Sequence, residues 1–423
     1  MMTMPRAIGS TPPQPPTGSA AEVAEFQGLY GAYHVSELLL QKIWLRGAFT
    51  QAGARTTTGD RVVVLHPGTW NRLAGPDFHG ARLRIGDHEV TGDVEVHFHA
   101  AAWTQHGHDR DPAYAGVVLH VVLFPPAADA SPVLRCDGTA IATLALVDLL
   151  WHDLEEYATD EAVAALSSRD ALPLVEHLLS LDVDARAAVI REAASRRWHE
   201  KLRYARLRLE RCGWEEACHL SALEILGYRA NREAMLRVGT TFPWSAWHRE
   251  TPAPTLESLL AAGADAWSTR GVRPANQPRL RLAQYLRWME AAPDWPGRLR
   301  DCELSAIPDA DTGETVTAQR RRAGFTRVRD ELARSLTGGQ LGGLRFDTFV
   351  INLVLPFLAA ARPALGPVAS AWWRLWTPGD VAEVLLQASR QLANPAARET
   401  RTNAMIQGLL GLHLQCAATT RTD

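Results

Sequence analysis

The chain has 423 residues, a formal net charge of −3, 46% hydrophobic and 22% charged residues, which fits a globular protein with more than one structural unit. So even a charge balance gives no overall pull toward nucleic acid or a membrane, and any such attraction has to be local. Five cysteines, at 136, 212, 218, 302 and 416, form no CxxC pair, which excludes a zinc ribbon or disulfide framework and points to a reducing, cytoplasmic setting.

Residues 1 to about 25 are rich in Pro, Gly, Ser and Thr and read as a disordered leader, without the apolar segment of a secretory signal. No uninterrupted apolar run of bilayer length follows, so no membrane partner is expected. From Tyr30 to Phe49, apolar residues at helical spacing, with Val35, Leu38, Leu39 and Ile43 on one side, predict a helix that carries Glu37. Strands are predicted from Arg61 (RVVVLHP), Gly80 (GARLRIG), Gly92 (GDVEVHFH) and Gly116 (GVVLHVVLF), each bounded by Gly, Pro or Asp. The last is apolar on both faces, as a central strand should be, and its His120 is expected to be a core histidine bonded to backbone. Beyond about Leu144, helical periodicity runs to the C-terminus, interrupted by Pro-containing loops. The expected architecture is α+β: an αβ core with a mixed sheet over 26–143, then a large all-helical domain over 144–423.

The chemistry concentrates in the core. Side chains alternate across a strand, so Asp93, Glu95, His97 and His99 share one face and Val94, Val96 and Phe98 the other. A plain solvent-facing sheet surface has the same pattern. Asp77, however, follows Pro76 at the mouth of the Gly80 strand, where it can meet Glu95 on the neighbouring strand. Two carboxylates brought together repel unless a cation lies between them, and Glu37 can add a third acidic group. The tract AAWTQHGHDRDPAY holds His106, His108, Asp109 and Asp111 within six residues, either as metal ligands or as a solvated loop with capping aspartates. The candidate ligands are Asp77, Glu95, His99, His106, His108 and Asp111, for Mg²⁺ or Mn²⁺ with Zn²⁺ as the alternative.

A helix with Glu37, a strand, a strand opened by Pro76-Asp77, a strand with Glu95-Val96-His97 and a later central strand resemble the core of the PD-(D/E)xK nuclease superfamily. The resemblance implies a metal-dependent nuclease-like fold and activity with Glu37, Asp77, Glu95 and His97 as catalytic residues. It also implies Lys where this chain has His97, and His titrates near neutrality whereas Lys is a fixed charge. The link between the third strand and the central one is too short and polar for a long helix. The segments SELLLQKIW, PGTWNRLAGPDF, GDVEVHFHAAAWTQHGHDRDPAYAGVVLHVV, LGYRANREAM and RPANQPRLRLAQ also resemble a bacterial domain-of-unknown-function family, DUF2851. That resemblance carries no activity. It implies a cysteine-rich C-terminal segment, of which only Cys416 stands here, so no C-terminal metal site is expected.

In the helical half, Arg191, Arg197, Lys201, Arg203 and Arg206 lie in a basic run from Arg186 to Arg211. The run reads either as a face for nucleic-acid phosphates or as a solvated helix face with intrahelical ion pairs. AQRRRAGFTRVRDELARS from Ala318 is open to the same two readings. Fourteen tryptophans are expected mainly in the core between helices, and Gly338, Gly339, Gly342 and Gly343 in TGGQLGG as a flexible connection, since no phosphate-loop Lys follows. The leading expectation is a metal-dependent nuclease-like protein acting on nucleic-acid phosphodiesters. The alternatives are a His/Asp metal hydrolase of a small substrate built on His97, His99, His106 and His108, and a non-catalytic nucleic-acid or partner adaptor.

Overall fold

The computed structural model describes residues 25–27, 34–166, 170–248, 253–308, 314–393 and 400–419; the expected leader lies outside them except for Glu25. A short antiparallel pair, β1 (Glu25–Gln27) and β2 (His34–Ser36), leads into helix α1 (Glu37–Arg46). The predicted helix therefore starts seven residues later than Tyr30, because Val35 is used in a strand and buried there. Leu38, expected on the apolar side, is exposed, while Leu39, Leu40, Ile43 and Trp44 form the buried face. Gly47 ends the helix in the left-handed region at φ 60°, its N–H capping the last carbonyls.

The main sheet consists of β3 (Val62–His66), β4 (Thr69–Trp70), β5 (Phe78–Ile85), β6 (His88–His97), β7 (Val117–Val122) and β8 (Ala142–Ala145). Its order is β3-β5-β6-β7-β8, with β4 paired to β5. Strands β3, β5 and β6 run antiparallel to their neighbours, whereas β6–β7 and β7–β8 are parallel, so the sheet is mixed as expected. A parallel pair cannot close through a hairpin. The chain therefore crosses from β6 to β7 through the four-residue helix α2 (Ala102–Gln105) and a 3₁₀ turn at Pro112–Tyr114. That crossover lays the HGHDRD tract against the sheet.

Val62, Phe78, Ala81, Leu83, Val94, Val96, Leu119, Val121 and Leu144 pack with the buried face of α1 into one core. This core includes Leu150, Trp151 and Ala158, and β8 (Ala142–Ala145) spans residues 143 and 144. The helical part opens with α3 (Leu154–Ala165), α4 (Leu172–Ser180), α5 (Val183–Cys212), α6 (Trp214–Gly227) and α7 (Arg232–Thr241), and further helices run on to Thr419. Trp288, Trp295, Trp372, Trp373 and Trp376 are fully enclosed among Phe346, Phe349 and Leu353, the packing role expected of the tryptophans. TGGQLGG turns the chain between Phe325–Thr337 and Gly343–Phe349, with Gly338, Gly339 and Gly343 at positive φ. Among the described residues one stretch, Gly343–Ala361, is long and apolar enough to cross a membrane, and 78% of that window is buried inside the protein.

The register of β6 on β7 depends on close backbone approach at Gly92, where a Cβ would lie 2.4 Å from Val118 Cγ1 and 2.8 Å from the Gly116 carbonyl oxygen. Gly92→Ala should therefore destabilise the protein by about 1–3 kcal/mol, as overpacking typically does. Urea unfolding followed by circular dichroism measures this, and an unchanged midpoint would show that the two strands have slack at that point.

Candidate metal centre

Asp77 precedes β5, and Phe78 pairs with Val94, so Asp77 and Glu95 sit side by side where β5 meets β6. Each carboxylate is tied to the other's strand. The Asp77 N–H donates to Glu95 Oε2 at 2.9 Å, and the Val96 N–H donates to Asp77 Oδ2 at 3.0 Å. Gln41, one turn along α1 from Glu37, donates from Nε2 to Asp77 Oδ1 at 2.6 Å and accepts from Trp70 Nε1. Glu37 itself, in the first turn of α1 where the helix dipole favours an anion, accepts from the Phe98 N–H at 3.3 Å. Thus Glu37, Asp77, Glu95 and His97 come together. Glu95 and His97 are only 5% and 2% exposed, so this face of β6 is a covered polar site and not a solvated sheet surface.

The cover is the crossover. His97 Nε2 and His108 Nε2 each lie 3.5 Å from Glu95 Oε1, and His106 Nδ1 lies 3.2 Å from His97 Nε2. The ligand atoms of His97, His106 and His108 are all within 4.8 Å of one another. Tyr114 stacks on the His108 ring at 3.7 Å between centroids, and Trp103, fully buried, closes the side by donating to the Leu134 carbonyl. Behind His97 stands His120, paired with Glu95 in the β6–β7 register, its Nε2 2.9 Å from His97 Nδ1. The expected backbone partner of His120 is therefore replaced by another imidazole.

The remaining candidate ligands point elsewhere. His99 has left the strand, is exposed and stacks on Phe124. Asp111 caps the 3₁₀ turn by accepting from the Ala113 N–H, which is the capping role open to it in the sequence. Asp93 is bound to the Gly80 N–H and to His79 at the surface.

The electrostatics follow from burial. It pushes the Glu95 and Asp77 carboxyls well above the usual carboxylate range, with mutual repulsion adding to it, and it raises Glu37 as well. Burial drives His108 down to about 4 and His120 down to about 3, and depresses His97 further. The imidazoles are thus neutral, the state in which they bind metals. Among the described residues no Lys or Arg forms an ion pair with Glu37, Asp77 or Glu95. Neutral nitrogens beside carboxyl groups that a bound cation would deprotonate form a donor set suited to a divalent cation.

The basic run on α5 is spent differently. Arg191 and Arg206 are exposed, but Arg197 is buried against Glu200, and burial next to it lowers Lys201 to about 8. Arg203 pairs with Glu155 and Asp153, Arg208 with Glu156 and Glu224, and Arg211 donates to the Leu150 carbonyl. Arg197 and Arg203 are thus paired with carboxylates, the ion-pair reading open to this run in the sequence. In the second basic run Arg320 binds the Leu375 and Arg401 carbonyls and Arg329 binds Asp347.

Two outcomes follow. Arg208→Ala removes one partner each from Glu156 and Glu224, of which Glu224 keeps Arg232 and His152, and should cost about 1–3 kcal/mol of stability, read from denaturant unfolding; a loss below about 1 kcal/mol would show that Arg208 is solvated. For the metal-free protein, carboxyls raised in the folded state keep their stability below the ordinary carboxylate range. They lose it as pH rises, because the unfolded chain ionises first. Below about pH 6.5 the depressed imidazoles of His97, His108 and His120 act in the opposite sense, so the melting temperature should fall between about pH 7 and pH 9, and Glu95→Gln should flatten that fall; equal slopes would contradict the burial of Glu95.

No curated protein and no solved structure matches the chain. A family model described as a protein of unknown function, DUF2851, matches residues 37–265, more than half of the chain. That span takes in α1, every strand of the main sheet, the histidine-bearing crossover and helices α3 to α7, and the chain belongs to the DUF2851 family.

Proposed function

We propose that this protein is a divalent-metal-dependent hydrolase of nucleic-acid phosphodiesters. The observation that carries the reading is the convergence of the buried Glu37 and Glu95 with the half-buried Asp77 in one cluster to which, among the described residues, no Lys or Arg is paired. Its chain order, Glu on a helix, then Pro-Asp, then Glu-x-His on the adjacent strand, supports the resemblance to the PD-(D/E)xK core. The cluster fits Mg²⁺ or Mn²⁺, which bind through one or two carboxylates and leave positions for substrate phosphate.

In this reading Asp77 and Glu95 hold the cation and Glu37 adds charge from α1. The reciprocal backbone bonds fix both carboxylates before substrate arrives, which removes reorganisation from the reaction. A cation bound there supplies polarisation of the scissile phosphate and a more acidic attacking water. His97 stands at the position where the superfamily has Lys and offers a neutral nitrogen beside Glu95. The exposed Arg191 and Arg206 remain for phosphate contact on α5. Cys136, Cys212, Cys218 and Cys302 stand as thiols, which suits a reducing cytoplasm.

Mg²⁺ or Mn²⁺ should raise the melting temperature of the protein, since a ligand of the native state stabilises it by mass action. The same ions should support cleavage of plasmid or short single-stranded DNA or RNA. Asp77→Asn and Glu95→Gln should each reduce cleavage by at least 100-fold, with the metal-free variants as stable as the parent or more so. Cleavage that survives both substitutions, or its absence with either ion in the parent, would end the phosphodiesterase reading.

A further inference from the structure

Glu95 has two sides. Its Oε2 is held by the Asp77 N–H within the acidic cluster, while its Oε1 faces the imidazoles of His97 and His108. Three of the six separations among Oε1 and the ligand nitrogens of His97, His106 and His108 match those on one small ion, and the ligand nitrogens of the three histidines lie within 4.8 Å of one another. With metal–nitrogen and metal–oxygen bonds of about 2.0–2.1 Å, a tetrahedron has edges of about 3.3 Å. The separations here are 3.2 Å from His106 Nδ1 to His97 Nε2, and 3.5 Å from Glu95 Oε1 to both His97 Nε2 and His108 Nε2. Three imidazoles and one carboxylate oxygen are a borderline-soft set that suits zinc rather than magnesium. His106 is exposed, which leaves the position open to an ion from solvent.

We infer that a zinc-class ion is held by His97 Nε2, His106 Nδ1, His108 Nε2 and Glu95 Oε1, with His120 as the residue that positions His97 for it. The inference rests on the metal-dependent reading above only through Glu95, which the two sites share. To bind through Nε2, His97 must carry its proton on Nδ1, and that nitrogen points at His120 Nε2, 2.9 Å away. His120 is fully buried and, among the described residues, its Nδ1 has no hydrogen-bond partner, so the hydrogen bond it makes is the one to His97. Ligating histidines are commonly oriented by such a partner on the other ring nitrogen. His97 is accordingly a ligand and not a substitute for the superfamily's Lys.

Cobalt(II) reports the site directly, because a tetrahedral cobalt(II) centre has intense visible bands. Titration of the metal-free full-length protein should give those bands at one equivalent, and zinc should bleach them whereas magnesium should not. His106→Ala, at an exposed position that leaves packing intact, should weaken cobalt binding by at least 100-fold with an unchanged circular dichroism spectrum. His97→Lys should abolish the bands. His120→Leu should weaken binding about 10- to 100-fold, and His120→Gln, which keeps an acceptor near the same place, should recover most of it. Absence of the bands, or bands that survive His106→Ala, would overturn the site; equal loss in His120→Leu and His120→Gln would overturn the positioning role. Asp77→Asn separates the two readings, since it should abolish cleavage while the cobalt bands persist. A parent protein that shows the bands without any cleavage would retain this site and lose the phosphodiesterase.

Discussion

The structure depends on the exchange of backbone bonds between Asp77 and Glu95. A carboxylate buried without a partner is costly, and here each is satisfied by an N–H from the opposite strand. The same two bonds join the start of β5 to the end of β6, so the chemical group and the strand register are fixed together. What backbone bonds cannot do is cancel charge. Burial disfavours the ionised form of Glu37, Asp77 and Glu95, a bound cation would reverse that, and so this cluster with its neutral imidazoles is suited to one.

The mixed pairing of the sheet brings the rest of the site into place. Had β6 and β7 been joined by a hairpin, His97 and His120 could not have been neighbours in this way. Parallel pairing sets Glu95 opposite His120, and it forces a crossover that returns over the face of β6. Trp103 and Tyr114 fill the space under that crossover, and His106 and His108 lie on its inner side. The polar face is thus covered, except at the exposed His106, by the segment that the topology requires.

Helix α5 serves as the seam between the sheet and the helical part. Its arginines meet Asp153, Glu155, Glu156 and Glu224, and Arg232 on α7 reaches Asp160 and Glu224. Buried ion pairs of this kind add little net stability over apolar packing, but removal of one partner is expensive. They therefore fix how the elements meet more than how tightly they do. Leu236 of α7 also inserts into the sheet core, so the two parts share apolar contact as well.

Alternation in DVEVHFH was enough to place Glu95 and His97 on one face, and the Pro-Asp step was enough to bring Asp77 near them, because strand periodicity and turn chemistry are local properties. The α+β division, the central β7 and the packing role of the tryptophans were legible for the same reason. Local pattern could not assign His120, since a histidine in an apolar strand looks alike whether a backbone carbonyl or a second imidazole lies beside it; only the β6–β7 register decides. Nor could it separate His97 from His99. Strand alternation puts both on one face, but the chain bends after His97 and sends His99 to the surface against Phe124. The run holding Arg197 and Arg203 was open to both a phosphate-binding and an ion-paired reading because charge is visible in a sequence and its partners are not. Glu155 and Asp153 lie far from them along the chain, and only the packing of α3 on α5 shows where that charge goes.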